Sequence, residues 1–141
     1  MAVKSVSFQI KTSGRTDILD ITNRVQDAVF ASGITDGTAT VFIPGSTAGV
    51  TTIEYESGVV NDLRKAIEKL APAGIQYEHD SRWGNGNGYS HVRAALLRAS
   101  LSVPFNNGDL TLGTWQQIVV MDFDNRPRHR NIFIQIVGDQ A

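Results

Sequence analysis

Apolar and polar residues alternate from Ser5 to Lys11, with Val6, Phe8 and Ile10 on one side and Ser5, Ser7, Gln9 and Lys11 on the other. A period of two belongs to a strand with one face buried, so the chain opens on a strand. After a turn at Ser13-Gly14, the run from Thr16 to Ile21 predicts a second, short strand. Thr22 then stands where a helix cap is expected, Val25, Ala28 and Val29 recur at helical spacing, and Gly33 supplies the stop. Thr38 to Ile43 predicts a buried strand halted by Pro44, and the β-branched stretch Thr47 to Tyr55 predicts another extended segment. Ser57 is placed to cap a second helix whose Val59, Leu63, Ala66, Ile67 and Leu70 share one face and which Pro72 ends.

The second half changes character. Apolar runs at Leu101–Phe105, Leu110–Leu112, Ile118–Phe123 and Ile132–Val137 are separated by the turn signals Asn106-Asn107-Gly108 and Asp124-Asn125-Arg126-Pro127, the pattern of an antiparallel meander. Many strands with few helices predict an α+β fold: an antiparallel, β-rich two-layer sandwich or flattened barrel with two or three covering helices. A chain of 141 residues without repeats or linkers is read as one domain spanning residues 1–141.

Composition narrows the function. No stretch of about 18 apolar residues is present, and the opening residues alternate instead of forming a signal peptide's apolar run, so a soluble, cytoplasmic protein without membrane partners is expected. With no cysteine, any metal would need His, Asp, Glu or water as ligands. A net charge of −1 argues against a general nucleic-acid binder. Charge type is more informative. Lys4, Lys11, Lys65 and Lys69 all precede residue 84, whereas Arg93, Arg98, Arg126, Arg128 and Arg130 follow it. Arginine suits bidentate binding of carboxylate or phosphate, although surface ion pairs with Glu78, Asp80, Asp122 and Asp124 would use the same residues.

The chemistry concentrates between Tyr77 and Arg98, where His79 and His91 bracket a loop carrying Gly84, Gly86 and Gly88. Such a loop approaches a ligand closely, and Ser90 is placed to cap a following helix, so an anion, a metal or both could sit there. The loop lacks the Gly-Lys-Ser/Thr of a nucleotide-binding motif, and a tight surface turn is the competing account. The histidines could share a metal only if the loop folds them together, with Glu54, Glu56 and Asp80 as further candidates; His129, between Arg128 and Arg130, is a poor ligand. No nucleophile motif of the Ser-His-Asp kind stands out. Thr114-Trp115-Gln116 is either a pocket wall or a buried Trp with hydrogen-bonding neighbours.

Taken together, STAGVTTIEYE (Ser46 to Glu56), Tyr77-Glu78-His79, GNGNGYSHVRAALL (Gly84 to Leu97), VPFNNGDLTLGTWQQI (Val103 to Ile118) and DFDNRPRHR (Asp122 to Arg130) resemble the YjbQ-like family, also labelled secondary thiamine-phosphate synthase, over nearly the whole chain. The resemblance implies a compact α+β fold and a homotrimer with its site near subunit contacts. Members usually carry His-Thr-Thr-Ala where this chain has Gly45-Ser46-Thr47-Ala48, so the first of three histidines is replaced by Gly45. His79 and His91 match the other two and Glu54 matches the family glutamate, leaving this reduced set as candidate ligands for a divalent cation, zinc or magnesium. The Asp-Gly-Pro-Arg turn of the family is altered to Asp124-Asn125-Arg126-Pro127-Arg128.

The expected function is handling of a small phosphorylated metabolite, with a weak thiamine-phosphate synthase type of transferase activity implied by the resemblance. In that scheme Arg93, Arg126 and Arg128 and the loop segment Gly86, Asn87, Gly88 and Ser90 hold the anion, Trp115 stacks on a heteroaromatic ring, and Thr114 and Gln116 complete the wall. The alternative is a non-catalytic, trimeric anion- or metal-binding module.

Overall fold

The computed structural model describes residues 1–140. In chain order its elements are β1 (Ala2–Thr12), β2 (Asp17–Asp20), α1 (Thr22–Ser32), β3 (Ile34–Phe42), β4 (Ala48–Ile53), α2 (Ser57–Leu70), α3 (Glu78–Trp83), α4 (Gly88–Leu97), β5 (Ser100–Asn106), β6 (Asp109–Leu110), β7 (Gln117–Asp122) and β8 (Arg128–Gln140). The strands form two antiparallel sheets, β1-β8-β3-β5-β6 and β2-β7-β4, so the expected α+β class and layered β core are observed. Four helices form where the pattern predicts two or three. The additional one is α3, six residues long with none buried, and it therefore carries no apolar stripe in the sequence.

The four C-terminal strands do not form a meander. β5 and β6 make a hairpin, but β7 leaves for the centre of the small sheet and β8 returns between β1 and β3. Burial explains the split. In β7, Ile118 and Val120 join one core with Val50, Val103, Ile132, Ile134 and Ile136. Val119 and Met121, with Phe123 just beyond, join a second core with Val60, Ile67 and Ala94 from α2 and α4. A strand covered on both faces reads as a continuous apolar run and takes a central position, whereas β8 alternates because the outer face of the large sheet is open to solvent. Each such Ile or Val side chain, fully buried, contributes about 1.5–3 kcal/mol.

Helix entries are set by acidic residues just ahead of the predicted caps. The Asp20 carboxylate accepts hydrogen bonds from the Thr22 amide at 2.9 Å and hydroxyl at 2.6 Å. The Glu56 carboxylate accepts from the Gly58 and Val59 amides, and these backbone bonds hold its pKa below the ordinary value. On α2 the packed face is Val60, Leu63 and Ile67, while Leu70 is exposed. The end of α4 lies so close to β4 that a Cβ on Gly49 would come within 2.7 Å of the Arg98 carbonyl oxygen. No helix among the described residues is long and apolar enough to cross a membrane.

Candidate functional site

The inward parity of β7 runs Ile118, Val120, Asp122, which places a carboxylate at the end of the sandwich core with no solvent exposure. A buried charge requires partners. Arg130 of β8 supplies two, with Nε donating to Asp122 Oδ2 at 2.7 Å and Nη2 to Oδ1 at 2.9 Å. Thr12 at the end of β1 donates its hydroxyl to the same carboxylate, and the Asp124 amide donates at 3.0 Å. Burial pushes the Asp122 pKa up, but the bonds from Arg130, Thr12 and Asp124 outweigh it and hold the group below its ordinary value. Asp124 behaves alike: burial opposes ionisation, and the Asn125 amide, Arg128 and Asn87 more than offset it. Thr47 ties the two halves together, accepting from Arg130 Nη2 at 2.6 Å and donating to Asp124 at 3.2 Å. Two carboxylates and two guanidiniums thus make a charge-balanced, hydrogen-bonded floor.

Over this floor stand His79 from α3 and His91 from α4, their ring centroids 4.6 Å apart and tilted by 50°. The glycine loop does fold the two histidines together. His91 Nδ1 lies 3.1 Å from the Ser46 carbonyl oxygen, and His79 Nδ1 faces the Asp80 carboxylate at 3.5 Å. An imidazole that donates through Nδ1 leaves Nε2 free, as an acceptor in the neutral ring and as a donor in the protonated ring that an anion would favour, so each ring has its outer nitrogen available for a ligand. The chamber has a volume of about 380 Å³ and is lined by Ser46, Trp83, Asn87 and Arg128 as well as by the two rings. Asn87 Oδ1 is buried there without a hydrogen-bond partner, an acceptor that a ligand donor could satisfy.

The remaining sequence-derived residues fall into separate places. Asp80 Oδ1 accepts from the Gly88 amide at 2.8 Å, so a carboxylate already occupies the start of α4. Ser90 does not cap: its hydroxyl donates to the Phe123 carbonyl, and its amide donates to Asn87 O at 2.9 Å. Gly86 is exposed with φ +71°. Arg93 is 4% exposed and faces inward, where its guanidinium donates to Ala71 O, Thr16 Oγ1 and Glu68. An arginine on a helix is expected to reach solvent, and here the helix face it occupies is covered by the Thr16 and Ala71 turns. Arg126 is exposed and outside the chamber lining. Thr114, Trp115 and Gln116 belong to a different surface, where Gln116 closes a local turn through Gly113 and Thr52 and Trp115 is 73% exposed. Glu54 is not in the chamber lining and makes no metal-holding group with the two histidines. Trp83, Ser46 and Thr47 line the chamber and were not singled out by spacing; Asp124 and Arg130, expected as ion-pair residues, do form ion pairs and line it as well. Trp83 directly precedes the glycine loop, and Arg130 and Asp124 lie in the arginine-rich turn, which are the signals available for them.

A profile of the family described as "UPF0047 protein YjbQ-like" matches residues 6–139. The chain belongs to this family. The YjbQ-like relatives include a UPF0047 protein of Methanothermobacter thermautotrophicus, 36% identical over 98% of this chain and 94% of its own length. YugU of Bacillus subtilis, also a UPF0047 protein, is 36% identical over 94% of this chain and 98% of its own. Among solved structures, a YjbQ/UPF0047 protein of Clostridium acetobutylicum superposes with a TM-score of 0.85 at 38% identity, covering 94% of this chain and 99% of that one. A YbjQ-like protein of unknown function from Sulfolobus solfataricus gives 0.87 at 28% identity, with 98% and 100% covered.

Within the YjbQ-like frame the metal question turns on donor count. A zinc site uses at least three protein ligands, and the two imidazoles supply two. Gly45, which lines the same chamber, offers no side-chain donor. Among the described residues no group of three or more His, Asp or Glu side chains gathers to hold a metal. The side chains of this chain therefore do not by themselves fit a metal centre.

Proposed function

We propose that the protein handles a small phosphorylated metabolite, bound in the chamber above the Arg130–Asp122 floor. The observation that carries this reading is the convergence of His79, His91 and Arg128 on one polar chamber whose buried carboxylates are already neutralised. With Asp122 and Asp124 engaged by guanidiniums, an incoming anion meets imidazole edges and the outer side of Arg128 instead of bare negative charge. Trp83, 71% exposed at the rim, offers a face on which a ring of the metabolite can stack.

The two Nε2 atoms suit proton transfer to or from a phosphoryl or leaving-group oxygen, so a transferase step of the thiamine-phosphate synthase type belongs to this proposal as its catalytic form. The non-catalytic form is an anion-binding module, and a homotrimeric assembly is part of both. Calorimetry with inorganic phosphate and a panel of phosphate monoesters tests the binding. Heat of binding that disappears in His91→Ala supports the chamber; binding that survives both His91→Ala and Arg128→Ala places the anion elsewhere. Release of pyrophosphate from a pyrimidine diphosphate and a thiazole phosphate, followed by phosphate assay, separates the two forms.

A further inference from the structure

Gly45, Ser46 and His91 line a second concavity as well, of about 340 Å³, walled by Ala94, Ala95 and Ala99 and bordered by Arg98. Because it shares three residues with the histidine chamber, the two are halves of one groove with His91 at the join. Gly45 keeps the join narrow but open. Its φ is +112°, and a Cβ there would stand 3.2 Å from Arg130 Nη1.

Arg98 has φ +89° and ψ 160°, a conformation that essentially only glycine adopts without strain. The peptide is fixed there from both sides: its N–H donates to Ala94 O at 2.8 Å and its carbonyl accepts from the Val50 amide at 3.1 Å. Glycine would hold this helix end more favourably. What arginine adds is a guanidinium on an exposed residue that borders the groove, and that guanidinium has no hydrogen bond or ion pair among the described residues. Strain retained beside a concavity, on an exposed cation whose side chain has no hydrogen-bond or ion-pair partner among the described residues, points to a ligand.

Resting on the chamber reading above, we infer that the groove takes a bipartite metabolite: a phosphorylated head at His79 and His91, a short apolar body along the alanine wall, and a second anionic group on Arg98. Arg98 is then the specificity-determining residue, selecting doubly anionic ligands over phosphate monoesters that end in an alkyl group. The alanines favour a slender aliphatic body, since any larger side chain at 94, 95 or 99 would fill the slot.

Calorimetry of the full chain with two probe series tests this: ω-phosphonocarboxylic acids of increasing chain length, and alkylphosphonic acids of the same lengths. At one chain length the carboxylate-bearing probe should bind about tenfold or more tightly than its alkyl counterpart, the worth of one charge-assisted hydrogen-bond pair. Both Arg98→Gly and Arg98→Met should bring that ratio to near one, and Arg98→Gly should also raise Tm because the strain is relieved. A ratio near one in the wild type at every length, or a ratio that persists in both variants, overturns the role of Arg98. Alkylphosphonates that still bind in those cases leave the chamber reading standing, whereas failure of both series to bind the wild type overturns the chamber reading and the inference together.

Discussion

The rings of His79 and His91 lie 4.6 Å apart although one is on α3 and the other on α4, with the glycine loop between them. What brings them together is Asp80, whose carboxylate accepts from the Gly88 amide at 2.8 Å and so fastens the start of α4 to α3. The loop glycines allow the reversal, and Gly88 permits the approach, since a Cβ there would sit 2.6 Å from Tyr77 Cβ. The segment that looks like a phosphate loop is therefore a clamp that presents two imidazoles.

If the clamp serves the chamber, Asp80→Asn should weaken phosphate-ester binding indirectly. The neutral amide still accepts from Gly88 but loses the favourable interaction of a carboxylate with the helix start, worth about 0.3–1 kcal/mol. The expected loss is a few-fold in affinity with the fold intact. Calorimetry beside circular dichroism checks it, and an unchanged Kd would mean that the His79 position does not matter to the ligand.

The imidazoles themselves should matter more. His91→Ala removes a hydrogen bond to a charged group, about 1.5–3 kcal/mol, and should weaken a phosphate monoester by at least about tenfold. Because His91 is only half-buried and its Nδ1 contacts only the Ser46 carbonyl, Tm should move little. A large drop in Tm with unchanged affinity would make His91 a packing residue.

Asp122→Asn tests the floor. Arg130 is 4% exposed and would be left as a buried cation with only a neutral partner in place of Asp122. Breaking a buried pair in this way costs about 3–5 kcal/mol. Urea denaturation of the variant should show that loss with an unaltered m-value; a loss near zero would mean that Asp124, 3.9 Å from Arg130 Nη2, takes over the pairing.

The same floor fixes the direction of the acid dependence. Asp122 and Asp124 both have folded-state pKa values below the ordinary 3.8. Below that value the unfolded chain binds protons that the folded chain does not, so their contribution is fully present above about pH 4 and is lost as pH falls through the folded-state values. Urea midpoints should be flat in this respect between pH 7 and 5 and fall steeply below pH 4. In Asp122→Asn the acid limb should be shallower.

β1 was readable from its alternation, although on this edge strand Phe8 and Ile10 are only half-buried and Val6, expected on the buried side, is exposed; β3 and β8 were readable as apolar runs, and α1 and α2 from spacing and their stops. The place of β7 was not, since a run apolar on both faces carries no parity. At the site, the segment containing both histidines stood out by composition. The partners of those residues did not: the Asp80–Gly88 bond spans eight residues, and the Thr12–Asp122 and Thr47–Arg130 bonds span most of the chain. Arg130, Asp122 and Asp124 are the groups whose charges decide the chamber's electrostatics, and burial is what separates them from Arg126 and Arg128 of the same turn.

Arg93 shows the same distinction most sharply, and it gives a test with opposite outcomes. From spacing it belongs with His91 as an anion clamp; in the fold it crosses from α4 to hold the Ala71 carbonyl at 2.9 Å and the Thr16 hydroxyl at 2.9 Å, with Glu68 closing the far side. Thr16 itself has φ +64°, an unfavourable conformation for a β-branched residue that this hydrogen bond helps to hold. Arg93→Met keeps the aliphatic stem but removes the guanidinium that lies 4.8 Å over the Tyr89 ring and leaves buried acceptors unpaired, at about 2–3 kcal/mol. The variant should therefore unfold at lower urea while binding phosphate esters as the wild type does below its transition. Lost affinity at unchanged stability would return Arg93 to the ligand site.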